Sequence, residues 1–534
     1  MKHITSSIQR SSRLLRSPLR MSCKPVHCAA MYLRRLPHLG LLLALAAAAV
    51  PGQTVTFEER NLAAGSGSAT PQFASAYDGS LYVSWTESAA NHAATLLISR
   101  FDRGNDAWLP PVQIATGTNW FVNWADTPTI AAGLRGKVAA VWSVNNPDDD
   151  HGYHAVYATS EDHGQTWSAP APLSTESHAT EFVEVAPLIN GQWLAIWLDG
   201  RDRAGHHGAG NMQLRSRLLG SDEPDTLIDA RVCDCCSISA LVLPNGAVLA
   251  AYRDRSDDEI RDIAYARYSR GEWTTTTAPA TDGWHIAGCP VNGPKLSRRG
   301  AHVAVSWFTG EGDDPRVMTA RSNNIGNSWN FVSRVDDPSA SATRGAVSSA
   351  VTRDGSQWTT WVETNGSIAL RRVNRDNELG PIHHLPNHAA AGGRAGGVPR
   401  MTLLDNRSDA PARLIIARTV PGSGDTPGRV TTHIASIAPD TDATLDDCGC
   451  GPSEAETRGH ALRGRIEGIM ADRNALLVAH EEIPGVMRAM TMMFQVDPRV
   501  IPLVKAEQNI TARMERREDG KWWLFNIRLL NTVK

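Results

Sequence analysis

Short strands ending in an aromatic residue recur along most of this chain. They read Val83-Ser84-Trp85, Val141-Trp142, Ala195-Ile196-Trp197, Ala250-Ala251-Tyr252, Val305-Ser306-Trp307 and Thr359-Thr360-Trp361, at intervals of 57, 55, 55, 55 and 54 residues. A weaker seventh copy, Leu414-Ile415-Ile416-Ala417, follows at the same interval. Each is preceded by another strand and a Gly turn, such as Asn245-Gly246, and followed by a third strand, such as Asp262 to Arg267. One such unit cannot bury its apolar face alone, and four short strands in roughly 40 to 55 residues stack radially as the blade of a β-propeller. The sequence therefore predicts an all-β chain with a six- or seven-bladed propeller over residues 54–437, and seven units are counted. Thr54 to Glu59, a strand-like stretch outside the repeats, is placed to supply the missing outer strand of the last blade.

The amino terminus is of a different kind. Residues 1–53 hold eight Lys and Arg and no acid, so the remainder carries 45 basic against 56 acidic residues and is acidic. That balance argues against nucleic acid as a partner. From Met31 the chain runs through Arg34-Arg35 and the apolar stretch Leu39–Val50 to Pro51-Gly52-Gln53, the pattern of a signal peptide too short for a comfortable span. Residues 1–53 are accordingly an extension and signal peptide, with translation starting at Met31. The expected product is periplasmic or secreted, with no membrane span after signal removal.

In a propeller, the loops leading into the innermost strands and those joining second to third strands open on one face. The first set places Asp126, Glu181, Cys235-Cys236, Cys289, Arg344 and Gly397 around the channel mouth, at steps of 55, 55, 53, 55 and 53. The second set adds Asp199 to Asp202, Arg253 to Glu259 and Gly310 to Asp314. Cys233, Cys235 and Cys236 on one blade thus neighbour Cys289 and His285 on the next. Disulfides are one reading for an exported protein with six mature cysteines, Cys236 with Cys289 stapling two blades. A thiolate or thiolate/His metal site using His285 is the other. Cys448-Gly449-Cys450 falls in an acidic, Gly-rich linker, residues 438–456.

Ser160-Glu161-Asp162-His163-Gly164-Gln165-Thr166-Trp167 resembles the Asp box of sialidases and related propellers, with a degenerate copy at Ser322 to Trp329. The motif implies a sialidase-like propeller fold and says nothing of catalysis. The stretches around Asp126, Cys233–Cys236, Arg253, Arg255 and Cys289 resemble exported bacterial propellers labelled sialidase-like. Sialidases have six blades, one fewer than counted here. Asp126, Glu181, Arg253 and Arg344 are candidates for parts of a sialidase site, which needs a carboxylate-binding arginine set, an Asp acid/base and a Tyr activated by Glu. The Phe-Arg-Ile-Pro motif is absent, and all eight tyrosines lie at or before Tyr268, whereas the sialidase nucleophile comes from the last blades. An exo-sialidase is therefore an alternative, a non-catalytic glycan- or protein-binding propeller a second, and the balance leans away from an enzyme.

The last domain, residues 457–534, carries the most specific chemistry. Met487, Met490, Met492 and Met493 fall within seven positions close behind His480. Thioether and imidazole bind Cu(I) well and Mg²⁺ or Ca²⁺ poorly, and thioethers are not consumed by disulfide formation. Met490 and Met492 share one strand face, while Thr491 and Met493 share the other. The block His480, Ile483-Pro484, Ala489-Met490-Thr491-Met492 and Phe494 resembles the CusF-type periplasmic copper-binding domain, a small OB-like β-barrel. The resemblance extends from Gly464–Ile469 to Trp522-Trp523 and implies Cu(I) held by His480, Met487, Met490 and Met492. Met487 takes the place nearest to the Trp that caps the metal in the family. The chain is thus expected to handle copper, its propeller serving as scaffold or as a platform for a periplasmic copper transport protein, a cuproprotein or a glycan.

Overall fold

The computed structural model describes residues 54–438 and 460–529, apart from 90–92, 147–151, 175–178, 204–209, 277, 340–342, 387–395, 406–411, 424–425, 484–485 and 518–519. The signal segment, Met31 and the linker cysteines Cys448 and Cys450 lie outside the described residues. The described chain is all-β, with seven antiparallel sheets followed by a closed barrel. No helix among the described residues is long and apolar enough to cross a membrane.

The sheets are the expected blades. Blade 3 is representative: Thr180–Pro187, Trp193–Asp199, Met212–Leu218 and Thr226–Val232 pair in sequence order. The first strands of successive blades contact one another in a closed cycle and so line the channel. The repeat aromatics sit on the second strands and are buried, Trp85 and Trp197 at 0% exposure. An indole buried that deeply must place its N–H. Trp85 donates to Glu87 at 2.9 Å, Trp197 to Asp199 at 2.8 Å and Trp307 to Asp282 at 2.7 Å. The seventh blade, Arg400–Asp405, Arg413–Val420 and Arg429–Ile437, takes its outermost strand from Val55–Arg60, in register Val55 to Ile437 through Arg60 to Thr432. First and last blades are thereby fastened, which closes the ring of blades.

The turn Ser160–Trp167 is held by its own side chains. Ser160 Oγ accepts from the Gly164 N–H at 2.9 Å, and Asp162 accepts from the Thr166 N–H at 2.9 Å and the Thr166 hydroxyl at 2.6 Å. Those bonds, the Thr166 hydroxyl foremost, lower the Asp162 carboxyl to about 2. Asn324 does the same work in the later copy, accepting from the Ser328 N–H at 3.0 Å.

The terminal barrel closes through His460–Met470, Ala475–His480, Met490–Gln495, Trp522–Leu529 and Asn509–Arg516, in that spatial order. Its core is Leu462, Ile466, Leu476, Val478, Phe494, Ile510 and Met514, each at most 3% exposed. Gly464 stands opposite His480. A Cβ at Gly464 would lie 2.6 Å from the Ala479 carbonyl oxygen and 3.0 Å from His480 Cα, so only glycine admits this close pairing.

Candidate functional site

At the barrel's open end, His480 pairs with Met490, Val478 with Met492 and Leu476 with Phe494. Phe494 is fully buried, so strand alternation gives Met490 and Met492 the interior parity and Met493 the outer one. Exposure rises along that row, from Phe494 at 0% through half-buried Met492 to Met490 at 53%. His480 is 4% exposed. Its Nδ1 lies 2.7 Å from the Glu481 carbonyl oxygen, an acceptor only, which assigns the proton to Nδ1. Nε2 is then a lone-pair nitrogen, buried and without a hydrogen-bond partner. The Phe494 ring meets the imidazole edge-on at 5.8 Å and 73°. Ile483 and Met487 bond to each other through both backbone amides, at 2.9 and 3.1 Å, and the half-buried side chains of Met487 and Met492 each pack on the barrel core. Trp522 and Trp523 are engaged elsewhere, with His460 and Arg517.

These residues fit a soft monovalent ion. A buried acceptor nitrogen with no donor facing it costs about 1–3 kcal/mol unless something occupies it. Met490, opposite His480 in the strand register and 53% exposed, is a soft thioether donor that suits such an ion better than a hard cation.

The propeller mouth holds a second constellation. Asp126, Tyr153 and Glu181 are 6%, 4% and 4% exposed, and the Tyr153 hydroxyl lies close enough to both carboxyl groups to act on their protonation. Burial raises Asp126 to about 7 and Glu181 to about 8, with Asp126 further raising Glu181, and burial beside two acids raises Tyr153 far above its ordinary range. Tyr153 was missed from sequence. Its signal is position, since it opens the third strand of blade 2, Tyr153–Ser160, on the mouth side.

A β-bulge between Glu181 and Glu184, with Phe182 at φ 51°, turns an amide outward, and the Phe182 N–H donates to Asp126 at 2.9 Å. The same device recurs. In blade 6 the Ala346 N–H donates to Asn292 at 2.7 Å, and in blade 1 the Thr70 N–H donates to Thr419 at 3.3 Å. Neutral side chains do at two blades what Asp126 does at the third.

Arg344 lies with Arg418, Trp124 and Trp284 around a cleft of 460 Å³ that Asp126, Tyr153 and Glu181 do not line. Arg253 is not in that cleft: it is 1% exposed, and its guanidinium donates to the carbonyls of Asn292, Arg261 and Phe308 at 2.9, 2.6 and 2.7 Å under Trp284. The four mouth cysteines come together, but the disulfide joins Cys235, not Cys236, to Cys289, their Cα atoms 6.1 Å apart. Cys235 sits in the turn that follows the strand ending at Val232 and is half-buried, while Cys236 just beyond it is buried. Cys233 and Cys236 are free and buried at 0% and 1%. Although burial opposes it, the hydrogen bond from Cys236, the Cys235 amide and the fields of Arg253 and Arg261 lower the Cys233 thiol to about 6, whereas burial and then the neighbouring Cys233 push Cys236 well above its usual range. His285 is exposed, its backbone bridged to Ile260, and it is not among the convergent donors, which are Cys233, Cys235 and Cys236.

Residues 459–528 match the family described as copper binding periplasmic protein CusF, and residues 79–282 match the BNR repeat-like domain. The chain joins a sialidase-like BNR propeller to a CusF-type copper-binding domain. Among solved structures, it is similar to the BP39L lectin from Burkholderia pseudomallei, at 12% identity over 69% of this chain and 95% of that one, TM-score 0.45. It is also similar to an alpha-L-arabinofuranosidase from Fusarium graminearum, at 13% identity over 72% and 97%, TM-score 0.42. The NanB sialidase from Streptococcus pneumoniae follows at 10% identity over 72% and 94%, TM-score 0.36. No curated protein matches the chain.

Proposed function

We propose that this is an exported Cu(I)-binding protein whose CusF-type barrel holds the ion through His480 Nε2 and the thioethers of Met487, Met490 and Met492. The observation that carries the reading is the imidazole: Nδ1 anchored to the Glu481 carbonyl, Nε2 buried and unpartnered, Met490 directly opposite. Anchoring one ring nitrogen fixes the tautomer and aims the other, which is how ligating histidines are held. Half-buried Met487 and Met492 would close the apolar side, and exposed Met490 the side through which copper is exchanged with a periplasmic partner. Competition with a Cu(I) chelator tests this. The intact chain should compete, and His480→Ala with Met490→Ala should lose the one Cu(I) equivalent owed to the barrel; unchanged competition ends the proposal.

A second reading belongs to the propeller, whose cleft sets Arg344 and Arg418 among Trp124 and Trp284, a combination suited to an anionic sugar. Binding is favoured over hydrolysis because Asp126, Tyr153 and Glu181 are buried away from that cleft, and Asp126 has a bulge amide to hold. A glycan array screened with the intact chain and with Arg344→Ala tests it; signals unaffected by the substitution would remove the cleft from consideration.

A further inference from the structure

Cys233-Asp234-Cys235-Cys236 places two free thiols in a dry pocket behind the Cys235–Cys289 disulfide. The sulfurs of Cys233, Cys235 and Cys236 all lie within 4.8 Å of one another. What surrounds them is cationic. Arg261, 3% exposed, donates from Nη1 to Cys233 Sγ at 3.5 Å and from Nη2 to Glu259 at 2.8 Å. Glu259 also takes Arg255, which reaches Asp234 as well. Those four charges cancel. Arg253 remains: its described hydrogen bonds all go to carbonyls, and among the described residues no carboxylate lies in ion-pair range of it, Asp282 acting only at longer reach. A guanidinium buried to 1% without an anion is strongly unfavourable, so the pocket is built for one negative charge.

We infer that Cys233 and Cys236 form a second, bis-thiolate site for one Cu(I) ion in the propeller, its charge balanced by Arg253. Two thiolates and one monovalent ion sum to one negative charge, the charge Arg253 lacks. A divalent ion would make the pair neutral, leaving Arg253 uncompensated, and Zn²⁺ would need two more ligands. His285 is not there to give one. Binding replaces two S–H protons, released to solvent, with two S–Cu bonds, and the metal's oxidation state does not change. A Cys233–Cys236 disulfide is disfavoured by the same bookkeeping, since it carries no charge to meet Arg253.

The site stands apart from the barrel reading and is tested so that the two fail separately. In the full chain carrying Cys448→Ser and Cys450→Ser, anaerobic titration should reach about two equivalents of Cu(I). His480→Ala with Met490→Ala should remove one equivalent and leave the thiolate-to-copper absorption in the near ultraviolet. Cys233→Ser with Cys236→Ser should remove that absorption and the other equivalent. Should the serine variant misfold, copper-edge X-ray absorption of the His480→Ala, Met490→Ala chain decides instead, with sulfur-only, low-coordinate copper expected. Thiolate absorption that survives the cysteine changes, nitrogen ligands in that spectrum, or a Cys233–Cys236 disulfide in the purified chain would overturn the assignment.

Discussion

The barrel rim and the propeller mouth solve opposite electrostatic problems. At the rim, His480, Met487, Met490 and Met492 are soft donors, and the atom left without a partner is Nε2 of a buried imidazole. At the mouth, Asp126 and Glu181 are acids forced toward neutrality, while Arg253 is a cation kept without a carboxylate. Neutral soft donors can sit half in water at little cost, and Met490 does. Buried charge must be cancelled locally, and the mouth does so through Tyr153, bulge amides and thiols. One region is suited to exchanging an ion, the other to keeping whatever it holds.

That contrast can be broken. The largest expected effect is structural: opening the Cys235–Cys289 link, by Cys235→Ala with Cys289→Ala, frees a loop of separation 54 and should cost the propeller about 4 kcal/mol in denaturant unfolding. Copper affinity at the barrel should not move; if it falls, the two regions are not independent. Next, His480→Ala should weaken barrel Cu(I) affinity by about 100-fold in chelator competition, with little change in barrel melting. A large loss of melting temperature instead would make His480 a core residue.

The third effect reads the mouth by pH. Asp126 and Glu181 titrate higher folded than unfolded, so the folded state holds more protons between about 4 and about 8. Their contribution is fully present below that window and is lost as pH rises through it, with a slope of at most about 1.4 kcal/mol per unit for each group. Asp126→Asn should flatten the curve and leave the propeller more stable at pH 8, because an amide can hold the Phe182 N–H as Asn292 holds that of Ala346. A destabilised Asn variant would give the Asp126 charge a role of its own. The smallest effect is a control: Met493→Ala, on the outer face, should change Cu(I) affinity less than about two-fold.

How much of this was legible in sequence follows the same division. The barrel site is local, with His480 and its methionines inside fourteen residues, so strand parity alone places Met490 and Met492 on the histidine's side. The repeat fixed the blades in the same way, down to the strand that fastens the seventh. The mouth is assembled from residues about 55 apart, and periodicity says which positions meet there but not which atoms. Cys235 and Cys236 are equivalent to a period of that length, and the pairing fell to the other one. Tyr153 was invisible for a related reason: its partners Asp126 and Glu181 belong to different blades, and no spacing announces such an approach. Arg253 read as a substrate arginine because the repeat cannot distinguish a side chain lining a cleft from one under a tryptophan.

The fastening of the seventh blade has a consequence for how the protein is made. Arg60, synthesised before any of the seven repeats, accepts a hydrogen bond from Thr432, 372 residues later. Until that late partner emerges, both ends of the growing array are bare strand edges, and long-range pairing of this kind is slow. A chain truncated before Ile437 would therefore be sticky rather than merely incomplete, and factors that hold unfinished chains would matter most during that interval.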